Sequence, residues 1–221
     1  MPWIVASLLC CWLIWREIQR PTKIERGFDR PEDGTPVFVP YVVILGVLAV
    51  LCLYPPLRLW NFERFLTAKS NLLTENGRAK VHCNTIFDTF FDPNNGAGAH
   101  ARILTGEIVF QYPHCQRLMD YLAHPAKAKG PEVFALGLFT HESMHVRGEL
   151  NENRTECQSV QRMARAAQFL GVPEVTAQKS AREYYQNFYL RRSEAMTTAY
   201  FTAECAPGKS LDEHLPAPPW K

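Results

Sequence analysis

The sequence predicts an α+β fold, mainly helical, with a short β-hairpin or sheet and two transmembrane helices ahead of it. Three observations carry that expectation. Two apolar runs free of charge occupy much of the first 60 residues. β-Branched and aromatic residues flank a turn at Thr105-Gly106, as strands do. The second half shows helical periodicity punctuated by Pro, Gly and Asn.

The first run, MPWIVASLLCCWLIW, extends 15 residues to Arg16 and is read as a transmembrane helix over 1–15. It spans roughly 22 Å at 1.5 Å per residue, which is short for a bilayer. It lacks the basic n-region and A-x-A site of a signal peptide; an interfacial or cleaved helix is the alternative. The second run, VFVPYVVILGVLAVLCLY, covers Val37 to Tyr54 and gains Leu57, Leu59 and Trp60 as a flank. It is read as a second span over 37–60.

The linker over 16–36 carries Arg16, Arg20, Lys23, Arg26 and Arg30, against Arg58, Arg64 and Lys69 after the second span. That bias places the linker in the cytoplasm and everything from residue 61 outside it. The expected location is therefore a cell membrane crossed twice, with the lipid bilayer as a partner. Cysteine usage agrees. Cys10, Cys11 and Cys52 fall in the spans, whereas Cys83, Cys115, Cys157 and Cys205 fall in the exported part, where two disulfides suit an oxidising compartment. Four cysteines allow three pairings; Cys83–Cys115 with Cys157–Cys205 is preferred because each pair brackets one structural block. A net charge of +2 in 221 residues gives no indication of nucleic acid as a partner.

The exported part divides into a stalk helix over 61–80, a domain over 81–205 and a Pro-rich tail over 206–221. NFERFLTAKSNLLTEN has helical spacing and stops at Asn76-Gly77. KVHCNTIFD follows, then ARIL and EIVFQY as a hairpin. CQRLMDYLA is a helix, and HPAKAKGPE a loop. PEVFALGLFTHESMHVR starts with Pro131 at a first-turn position and ends at Gly148. Asn151 caps the next helix, ENRTECQSVQRMARAAQFLG, and another long helix after Val172-Pro173 runs to about Cys205.

The chemistry lies in THESMHVRGELNENRTEC, residues 140–157. His141 and His145 are four apart and share a helix face, so both imidazoles can address one metal ion. Glu142 is offset by about 100° and can serve as general base toward a water on zinc, whose pKa the metal brings near 7. A catalytic zinc takes three protein ligands. Glu149, Glu152, Glu156 and Cys157 are the available residues. With a turn at Gly148, Glu152 approaches the level of His145 and Glu156 that of His141. Glu152 is assigned as third ligand and Glu156 as the carboxylate fixing the first imidazole; Glu156 as ligand is the alternative.

HESMH followed by NENRTE resembles the gluzincin metallopeptidases, whose signature is HExxH and then a ligand Glu with an acidic residue four further on. His141, Glu142, His145, Glu152 and Glu156 match it in order over about 30 residues. Glu156 stands where Asp is usual, and six residues separate His145 from Glu152, fewer than is usual in that group. Gly148 sits where metzincins have their glycine, but Asn151 occupies their third-His position. The resemblance implies a zincin-like fold and a zinc metallopeptidase acting on a peptide or protein substrate of the cell envelope. ARILTGEIVF is the candidate edge strand for holding an extended substrate, beside the plainer role of a structural hairpin. Tyr184, Tyr185, Tyr189, Tyr200, His100 and Arg147 are candidates for stabilising an oxyanion. His82, His114, His124 and His214 are expected to be structural. The alternative reading is a non-enzymatic zincin-like membrane protein that binds a cell-envelope partner.

Overall fold

Hydrophobic periodicity and caps produce a mainly helical chain with one small sheet. The structure, a computed structural model, describes residues 2–19, 37–194 and 198–220. The linker expected over 16–36 lies, from residue 20 onward, outside the described residues. Helices α1 (Pro2–Gln19) and α2 (Val39–Thr74) come first. Among the described residues α2 is the one helix long and apolar enough to cross a membrane.

The chain falls into two compact units, Met1–Phe62 and Glu63–Lys221. In the first, the Ser7 hydroxyl donates to the Ala49 carbonyl at 3.1 Å. A buried hydroxyl in an apolar helix needs such a partner.

The segment expected to be a separate stalk is instead the end of α2 and an integral part of the second unit. Leu66, Ser70, Leu73 and Thr74 are buried there. Polar side chains of this face hold the first strand, β1 (Lys80–Cys83). Asn71 Oδ1 accepts from the Ala79 amide, Thr67 Oγ1 from Val81 and Glu63 Oε1 from Cys83. These groups supply an edge strand with hydrogen bonds that a second strand would otherwise provide.

After α3 (Ile86–Phe91) the chain forms β2 (Ala99–Arg102) and β3 (Glu107–Phe110). The sheet order is β1-β3-β2, with β1 parallel and β2 antiparallel to β3. The expected hairpin is present but shifted. Ile103 and Leu104 belong to the turn, because the Arg102 carbonyl accepts from both Thr105 and Gly106 amides. Gly106 has φ 75° and lies against the Arg78 backbone, a position closed to any side chain.

Helices α4 (Tyr112–Ala123), α5 (Gly130–Arg147), α6 (Glu152–Phe169) and α7 (Glu174–Tyr184) complete the core. Val133, Leu136, Phe139, Val160, Met163 and Ala167 are buried among them. The final long helix does not reach Cys205. Five residues, Tyr185–Tyr189, form a π-helical segment, followed by α8 (Leu190–Glu194) and short 3₁₀ turns.

Cys83 is bonded to Cys115 and Cys157 to Cys205, with Cα atoms 5.8 and 5.6 Å apart. This is the preferred of the three pairings. The Pro-rich tail is irregular yet packed. Gln161 donates to the Leu211 carbonyl and accepts from the Glu213 amide, Arg162 pairs with Glu213, and Pro218 and Pro219 are buried.

The Cys157–Cys205 bond closes a separation of 48 residues, so its loss should cost about 2–4 kcal/mol through the unfolded chain. Thermal denaturation of the Cys157→Ser/Cys205→Ser protein should show that loss. An unchanged melting temperature would mean that the C-terminal segment is held without the bond.

Candidate metal centre

The site is built by two antiparallel helices and the four residues between them. α5 ends where Gly148 takes φ 127°, a backbone conformation that side chains disfavour. Its amide donates to the Met144 and His145 carbonyls. Glu149 Oε1 accepts from the Leu150 and Asn151 amides, and Asn151 Oδ1 caps α6 through the Arg154 amide. The reversal sets Glu152, the first residue of α6, opposite the last turn of α5. Glu156 lies one turn deeper.

The histidine tautomers follow from the partners of Nδ1. His141 Nδ1 lies 2.7 Å from Glu156 Oε2, and His145 Nδ1 lies 2.8 Å from the Glu149 carbonyl oxygen. Neither oxygen can donate while the carboxylate is ionised, so both Nδ1 atoms carry a proton, and each ring in its neutral form turns an Nε2 lone pair inward, the form a metal ion would select. The two Nε2 atoms are 3.1 Å apart, and Glu152 Oε2 is 3.2 and 3.3 Å from them.

Three acceptor atoms thus face one another at hydrogen-bond distance. One proton can satisfy a single edge of that triangle, whereas a metal ion satisfies all three corners. The dimensions fit an ion: a tetrahedral centre about 2.0 Å from each ligand has ligand–ligand edges of about 3.3 Å. The His141-His145-Glu152 group is therefore compatible with a bound metal ion. Both histidines are buried, while the Glu152 side chain is 43% exposed, so solvent reaches the group from the Glu152 side.

Electrostatics point the same way. Burial alone would lower the His141 pKa, but hydrogen bonds to Glu152 and Glu156 outweigh it and raise it to about 10. The pocket demands positive charge at that position. Glu156 is buried, which would raise its pKa, yet His141, Arg192 and Tyr184 hold it below the ordinary carboxylate range. Glu142 is buried too, and burial pushes its carboxyl up to about 7. It accepts a hydrogen bond from the Ala101 backbone, so the edge strand β2 lies directly against the HExxH helix.

The second oxygen of Glu156 accounts for residues outside the motif. Oε1 accepts from Tyr184 Oη at 2.8 Å and lies 2.5 Å from Arg192 Nη1. Eight residues of regular α-helix turn through about 800°, leaving Tyr184 and Arg192 roughly 80° apart. The π segment between them absorbs one extra residue and reduces that to about 20°, so both reach the same carboxylate. Gly137 lets this happen, because a methyl group there would sit inside the Tyr184 ring.

Of the candidates for oxyanion stabilisation, Tyr200 stands at the site. Its ring centroid is 5.8 Å from that of His141, with the Arg192 guanidinium 5.1 Å from it. Four of the others are engaged elsewhere, whereas neither ring nitrogen of His100 has a hydrogen-bond partner. Tyr184 serves Glu156, Tyr189 donates to the Thr202 carbonyl, and Tyr185 packs on Tyr189 and Trp220. His100 faces Asp92 at 4.0 Å, and Arg147 pairs with Glu75 at 3.5 Å. Cys157, in its disulfide, is no ligand. Sequence reasoning had no signal for Arg192 as a partner of Glu156, since it stands 36 positions away.

Glu156→Gln keeps the shape and removes the charge that fixes His141. Metal affinity should fall by about 10–100-fold, the usual effect of losing such a partner, measured by competition with a chromogenic chelator. Unchanged affinity would remove Glu156 from the account. Gly137→Ala should destabilise the fold by about 1–3 kcal/mol through overpacking, readable in denaturant melts.

Comparison with protein-family models, with curated proteins and with solved structures finds no match to this chain.

Proposed function

We propose that the chain is a membrane-anchored zinc metallopeptidase. It has a zincin-like domain outside the cytoplasm and α1 and α2 as two membrane passes. The observation that carries the reading is the convergence of two imidazole lone pairs and one carboxylate oxygen beside a buried glutamate. Two nitrogens and one oxygen in tetrahedral dimensions suit zinc. The two disulfides suit an oxidising compartment.

His141, His145 and Glu152 would hold the ion. When bound there, zinc supplies a Lewis acid that acidifies a water and polarises a carbonyl. Glu142 takes the proton of the attacking water and returns it to the leaving amine. Its elevated pKa suits both steps, because the group must gain and lose one proton in each turnover. Tyr200, whose ring lies 5.8 Å from that of His141, would donate its phenol proton as a hydrogen bond to the oxygen gaining charge. β2 is an edge strand whose Ala101 amide already reaches Glu142. An extended peptide or protein segment of the cell envelope aligned along that edge would present its backbone to the base.

Glu142→Gln should lower hydrolysis of a fluorogenic peptide library by about 100-fold or more while zinc stays bound. The ionised form of Glu142 is the base, and it is lost as pH falls through about 7. Activity of the wild-type protein should therefore decline on the acid side of neutrality, and a flat profile would contradict Glu142 as the base. If Glu142→Gln left every activity and cellular phenotype intact, the chain would instead be a non-enzymatic zincin-like protein binding an envelope partner.

A further inference from the structure

α3 reads IFDTFF and buries none of its side chains. Ile86, Phe87, Phe90 and Phe91 are 60%, 63%, 74% and 77% exposed, an aromatic surface that water does not favour. A helix of six residues gains little from its own hydrogen bonds, and this one is fixed by polar clamps. Thr85 and Asp88 form a capping box at its start. At its end Asp92 accepts from Asn84 and Gln111. The Cys83–Cys115 bond lies in the strand just before it. The chain thus holds four large apolar side chains outward on a rigid base.

The position of α3 follows from the bonds between α2 and β1. Asn71, Thr67 and Glu63 step back along α2 by four residues, and their partners Ala79, Val81 and Cys83 step forward by two. Four helical residues advance about 6 Å and two strand residues about 6.6 Å, so the steps match and β1 runs back along α2. β1 therefore ends at Glu63, where the chain enters the domain from its apolar segment, and α3 begins two residues beyond Asn84 at that same end. The Arg102–Glu107 turn, with Leu104 93% exposed, lies at the other end, held by Arg78.

We propose that α3 docks on the surface of the lipid bilayer, with Ile86, Phe87, Phe90 and Phe91 in the interfacial zone, where aromatic side chains are favoured. The proposal rests on α2 being a membrane span. Docking fixes the domain against the membrane and keeps the HExxH helix close to it. Ser143 of that helix is bonded to Ser70, about 10 Å of helix beyond Glu63.

The test uses the full chain in phosphatidylcholine nanodiscs, with photoreactive p-benzoylphenylalanine at position 48, 90 or 104 in turn. After irradiation, mass spectrometry should find lipid adducts at 48 in α2 and at 90 in α3, and their loss at 104. Adducts at 48 without adducts at 90 would overturn the docking and leave the span in place. Adducts at neither position would overturn the span and the docking with it. Adducts at 104 equal to those at 90, or crosslinks from 90 to a second copy in place of lipid, would also overturn the proposal.

Discussion

Glu156 is a carboxylate with almost no access to water, and its charge is balanced wholly by protein groups. His141 Nδ1 bonds to one oxygen; Tyr184 Oη and Arg192 Nη1 reach the other. A buried charge costs several kcal/mol unless its partners are complete, so the arrangement admits little variation. It fixes the ring of His141, and the ring fixes where Nε2 points. One of the three convergent acceptors, His141 Nε2, thus takes its direction from a residue outside the HExxH motif.

The surrounding fold serves that arrangement. Gly148 reverses the chain so that α6 returns along α5, and Gly137 lets the Tyr184 ring lie against the α5 backbone. The π segment aligns Arg192 with Tyr184. Thr140 and Ser143 lie on the buried side of the same helix and bond to Leu136 and to Phe139 and Ser70. The helix that presents the histidines is thereby tied to the end of α2. Polar groups of the motif helix that do not face the site are used to seat it.

How much was legible in the sequence depended on whether the cause was local. The α5 and α6 helices, the Gly148 turn and the Asn151 cap are set by neighbours within a few residues, and their spacing put Glu152 and Glu156 on one face. The disulfide pairing followed from the bracketing of blocks. That the end of α2 holds β1 left no mark in the sequence, because the partners of Glu63, Thr67 and Asn71 are set only once β1 is laid along them. The last helix was overextended because a π segment leaves no mark in hydrophobic periodicity. The part played by Arg192 depends on contact between segments distant in the chain, and a helix as short as α3 gives too few residues for a periodic signal.

The proposed function requires that His141, His145 and Glu152, a group compatible with a bound metal ion, hold zinc. X-ray absorption spectroscopy at the zinc edge, on the full chain purified in mild detergent without added chelator, tests it most directly. It should report one zinc per chain with nitrogen and oxygen neighbours at about 2.0–2.2 Å and imidazole scattering from two rings. A chain without zinc, or a zinc surrounded by sulfur at about 2.3 Å, would contradict it.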